Sequence, residues 1–74
     1  MGTCEDVVLA ITKIKREMDK VREQQSKYLE WENSLGHALA SMKEGQLLGL
    51  YDACMIIRDA FLESCPELKD ITCD

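Results

Sequence analysis

"ENSLGH" (Glu32–His37) lies in the middle of a 74-residue chain. Whether it turns or continues a helix decides the fold. Asn33, Ser34 and Gly36 all favour turns or helix caps, which places a turn at 33–37. Such a turn divides the chain into two helices of similar length that can cover each other. The alternative is a single longer helix. The apolar pattern stays in phase through Leu35, Leu39 and Met42, and Ser41 with Glu44 forms a capping-box pattern before Gly45, so a break near residue 44 is the competing reading.

Upstream, Val7, Ile11, Ile14, Met18, Val21, Gln25 and Tyr28 recur with alternating gaps of four and three. That is the heptad seam of a helix packed along one narrow stripe, expected over about residues 4–32. Thr3 with Asp6 makes a capping-box-like start, and Glu5 and Asp6 suit the positive end of the helix dipole. Gln25 is the polar member of the seam. Either it fixes register or it lies at the edge and reaches water.

Downstream, a second helix is expected over about residues 38–64, stopped by Pro66, with a short tail at 65–74 that makes a further turn of helix and then a frayed end. On a helical wheel Leu47, Leu50, Cys54, Ile57 and Phe61 form one stripe. Leu48, Tyr51, Met55 and Leu62 form another about 100° away. Gly45, Gly49, Ala53 and Ala60 make a strip of small residues beside them. A narrow first helix can cover only one stripe, and soluble monomers rarely leave a broad apolar face open. The sequence therefore predicts an all-α antiparallel hairpin, a single coiled-coil-like domain over residues 1–74, assembling into a dimer or higher oligomeric bundle. Leu47, Leu48, Gly49, Tyr51, Met55 and Leu62 are the expected oligomer interface. Gly49 is expected where two helix backbones approach closely, to offset a helix-propensity cost of up to about 1 kcal/mol.

Size and charge narrow the function. A chain this short buries only about 60% of its unfolded surface, so it needs a staple or a partner. The net charge is −5, with three basic against seven acidic residues after residue 32. Such a chain repels phosphate, and no nucleic-acid role is expected. No apolar run approaches the ~18 residues of a membrane span, and no leader pattern is visible. A cytoplasmic protein is expected, with its thiols free.

Chemistry-bearing residues are sparse. Cys4, Cys54, Cys65 and Cys73 contain no CxxC pair, and no His-x3-5-His accompanies them, so no metal site is expected. In a hairpin Cys4 lies opposite Cys65, where a bridge is geometrically feasible, and Cys54 reads as a small core residue. His37, the lone histidine, would lie about 40 Å away at the closed end. Asp52, Asp59 and Glu63 read as a solvated face, because acid–base work needs a cleft. No cofactor and no enzymatic activity are expected. Tyr28 and Trp31 are the candidate partner or ligand contacts, as aromatics are enriched in binding hot spots. The expected function is non-catalytic protein binding by a small acidic oligomeric regulator, inhibitor or adaptor, pairing with itself and with another protein. Two alternatives stand beside it: a ligand-sequestering oligomer with pockets between subunits, and an obligate subunit or chaperone whose apolar helix 2 is covered by a different protein.

Overall fold

In the computed structural model, which describes residues 4–73, α1 (Cys4–Leu29) and α2 (Ser34–Phe61) pack as an antiparallel pair. A short 3₁₀ helix, Pro66–Asp70, follows, and the described residues include no strand. The hairpin measures 47 × 21 × 15 Å. The Thr3 start of the first helix lies outside the described residues.

The turn occupies residues 30–33, earlier than the 33–37 that its composition suggests. The reason lies in what each residue does. Glu32 takes the left-handed backbone conformation, φ 52°, and reverses the chain. Asn33 is then the N-cap of α2: its side-chain oxygen accepts a hydrogen bond from the Gly36 N–H at 2.7 Å. Ser34 and Gly36 therefore belong to the first helical turn. Gly36 is there for space, since its φ is not positive. A methyl group on it would run into the Tyr28 carbonyl oxygen and stand 2.9 Å from the Trp31 Cβ. The closed end of the hairpin is tight because that residue has no side chain.

Along α1 the seam does what its spacing implies. Val7, Ile11, Met18 and Val21 are buried, facing Ala40 and Cys54 of α2 among the buried residues. Gln25 settles the seam's polar position by reaching across the pair, its Nε2 donating to the Ala40 carbonyl at 3.3 Å. This side-chain bond between the helices ties their register near the turn.

The open end departs most from expectation. The tail does not fray. It folds back as the 3₁₀ helix, burying Leu68 completely against Val7, Ile11, Cys54, Cys65 and Cys73. Arg58 holds it there, with Nε donating to the Leu68 carbonyl at 3.0 Å and Nη2 to the Lys69 carbonyl at 3.3 Å. The thiols are not free. Cys4 is bonded to Cys65 and Cys54 to Cys73, with Cα–Cα distances of 5.6 and 5.9 Å. The hairpin brings the first pair together; the returning tail brings the second. Closing loops of 61 and 19 residues in the unfolded chain corresponds to about 4 and about 3 kcal/mol taken singly. The second figure shrinks when the first bridge is present, because the loops interleave. Among the described residues the largest fully buried side chains are Ile11, Met18, Leu68 and Cys54, and for so small a core these links are the staple that so short a chain needs.

Candidate functional site

α2 is apolar on more sides than its own chain can cover. Cys54 marks the direction toward α1. On one flank, Arg58 and Leu62 meet the C-terminal segment, and Met55 is likewise half-buried against the core there. Two residues of the expected interface, Met55 and Leu62, are thus partly occupied within the chain. Nearer the turn the same flank is open. Leu47, Leu48 and Tyr51 line a shallow groove with Met18, Arg22, Gln25 and Glu44, about 230 Å³ in volume. Leu48 is 61% exposed at its rim.

Gly49 is not with them. It lies about 160° around α2 from Tyr51, and a methyl group built on it meets nothing within 4 Å. Gly45 is equally open. The close approach expected at Gly49 therefore does not occur within the chain. Both glycines reside on the uncovered flank, together with three strongly exposed apolar side chains: Leu35 at 60%, Met42 at 63% and Ile56 at 68%.

Leu35, Met42 and Ile56 are the residues that the sequence reading passes over. A signal for them exists. The seam noted through Leu35, Leu39 and Met42 continues in unbroken four-three alternation through Gln46, Gly49, Ala53, Ile56 and Ala60. Its middle members are small or polar, so it does not announce itself as a hydrophobic stripe. No charged residue interrupts it.

Tyr28 and Trp31 form an edge-to-face pair at the closed end, with ring centroids 5.2 Å apart and planes at 86°. Tyr28 is half-buried and Trp31 is exposed. Their pairing supports the turn and still leaves an indole face to solvent.

No family model, curated protein or solved structure is significantly similar to this chain.

The remaining chemistry is thin. His37 is exposed in the first turn of α2. Cys4, Cys65 and Glu67 bring their donor atoms within 4.8 Å of one another, yet both sulfurs are committed to a disulfide and offer no thiolate to a metal. Cys54 and Cys73 are likewise bonded to each other. No helix is long and apolar enough to cross a membrane among the described residues.

Proposed function

We propose that this chain is a non-catalytic protein-interaction module: a small acidic regulator, inhibitor or adaptor whose disulfide-closed hairpin holds the outer flank of α2 open to another protein surface. The observation that carries the reading is the exposure of Leu35, Met42 and Ile56, each at 60% or more, along one uninterrupted uncharged flank of a folded helix. Trp31, at the end of the same hairpin, supplies an aromatic group of the kind that anchors protein interfaces. The two disulfides favour an oxidising compartment as the working location, in place of the cytoplasm expected from the sequence.

The ligand-sequestering alternative would use the groove beside Leu48 and Tyr51. That groove is open to solvent, and at about 230 Å³ it is smaller than the ~300–1,000 Å³ typical of small-molecule sites.

Site-specific photocrosslinking in the cells that express the protein tests the proposal. A photoreactive residue at Met42 or Ile56 is expected to yield protein adducts, whether to another copy or to a different chain. The same residue at Lys20, on the wet side of α1, is expected to yield none. Adducts of equal yield from all three positions, or none from Met42 and Ile56, would refute it.

A further inference from the structure

We infer that the uncovered flank of α2 is the pairing surface for a second copy of this chain, docked antiparallel about a two-fold axis that passes between Gln46 and Gly49. The inference deepens the protein-binding reading and rests on it.

Start with geometry. Leu35, Leu39, Met42, Gln46, Gly49, Ala53, Ile56 and Ala60 hold the spacing of a coiled-coil seam, about 38 Å long at helical rise. The seam is centred about 110° around α2 from Cys54. Arg58 and Leu62, which take the C-terminal segment, lie on the opposite side of Cys54. The chain's own parts therefore leave most of the seam open: Leu39 and Ala53 are half-buried and its other members are exposed. A seam sustained over more than three heptads calls for a helix running alongside it.

The sequence of the seam then selects its partner. An isologous two-fold contact sets each residue against a different one of the other copy. Centred between Gln46 and Gly49, it places Leu35 against the second copy's Ala60, Met42 against Ala53, Gln46 against Gly49, and Leu39 against Ile56. Three of these four layers set a larger side chain on a small one, the arrangement that fills space at native density. A parallel pairing would oppose like with like. The consecutive positions Gly49 and Ala53 would then face themselves and leave a gap in the middle of the seam.

Charge points the same way. The chain carries −5 overall, so most of its surface repels a second copy. The seam has no charged member. In the antiparallel register its flanking acids also avoid one another: Asp52 faces Gly45 and Asp59 faces Ala38 across the axis. Lys43, on the other border, faces Leu50. No carboxylate opposes a carboxylate. A basic partner protein would find only the border carboxylates Asp52 and Asp59 to pair with, and none within the seam.

The pairing is tested with Met42→Lys at an exposed position and Ala53→Glu at a half-buried one, and circular dichroism checks that each variant keeps the wild-type helical fold. Sedimentation equilibrium from micromolar to near-millimolar concentration should show wild type reaching twice the 8.4 kDa chain mass. Each variant alone should stay at the single-chain mass. Mixed one to one, the variants should recover the dimer. The lysine introduced in one copy then meets the glutamate introduced in the other, while the second Met42–Ala53 layer remains native. Wild type that is folded and monomeric throughout would overturn the pairing. So would variants that dimerise like wild type, or a mixture that stays monomeric. Failure here, with photocrosslinks from Met42 to a different protein, would leave the protein-binding reading standing. Failure of both would remove it.

Discussion

Replacing Gly36 with alanine is the sharpest test of how the hairpin closes, because two effects of opposite sign meet at one methyl group. Helix propensity favours alanine by up to about 1 kcal/mol, less in a first turn. Space opposes it. The added carbon would overlap the Tyr28 carbonyl oxygen and lie 2.9 Å from the Trp31 Cβ and 3.3 Å from the Asn33 Oδ1. The first obstacle is backbone and the second is attached directly to it, so neither can swing aside. Overpacking of this kind costs about 1–3 kcal/mol, and fixed obstacles put the cost at the upper end. Displacing Asn33 also weakens the cap it forms on α2. The net expectation is a loss of about 1–2 kcal/mol, and each kcal/mol lowers the midpoint by about 4–8 °C in a domain of this size. Gly45→Ala and Gly49→Ala provide the internal control, since a methyl group there meets nothing within 4 Å. Those two should keep or raise the midpoint. Thermal unfolding followed by circular dichroism, at a dilution where the chain is monomeric, reads all three. A Gly36→Ala midpoint at or above wild type would refute the reasoning.

Removing Cys4 and Cys65 together, as serines, should cost up to about 4 kcal/mol from the length of the loop released, and reductant, which opens both bridges, should lower the wild-type denaturant midpoint further still. An unchanged midpoint in reductant would show that the bridges do not staple the fold. Glu32→Gly should stabilise by up to about 1 kcal/mol, because the left-handed conformation costs an L-residue about 1–2 kcal/mol and glycine's greater unfolded entropy returns part of that. A fall in the chemical-denaturation midpoint would contradict it. Arg58→Gln should loosen the C-terminal segment without melting the helices, read as faster amide exchange over residues 67–71 with α1 protection unchanged.

Some of this molecule can be read directly from its residues. The α1 seam from Val7 to Tyr28 is regular, and of its members Val7, Ile11, Met18 and Val21 are buried while Ile14, Gln25 and Tyr28 are half-buried. A hairpin sets Cys4 opposite Cys65 by length alone, although free thiols are what the sequence leads one to expect. Other features depend on contacts distant in sequence and leave little local mark. "PELKDITCD" suggests a further turn of helix, as found at Pro66–Asp70, and not that the end folds back; that docking comes from Arg58 and from Cys54, each on another element. The turn is offset because Gly36 looks like a turn former, whereas its work is to admit the Tyr28 carbonyl and Trp31. Gly49 misleads in the opposite sense: its missing side chain suggests close packing, and within the chain it faces open space. The candidate interface is only partly legible for the same reason. The large residues at Leu48, Tyr51, Met55 and Leu62 draw attention to one flank, while the longer seam on the other is centred on Gln46, Gly49 and Ala53, whose spacing carries the information and whose hydrophobicity does not.

The uncovered flank of α2 is, on this reading, the surface through which the protein meets its partner, another copy of itself. Amide chemical shifts followed through a dilution series of the oxidised chain test that claim most directly. Concentration-dependent shifts are expected to be confined to Leu35, Leu39, Met42, Gln46, Gly49, Ala53, Ile56 and Ala60 and their immediate neighbours, with Lys13, Lys20 and the α1 side of the groove, Met18 and Arg22, unmoved. Shifts centred on that groove, or a spectrum that does not change from micromolar to near-millimolar concentration, would contradict it.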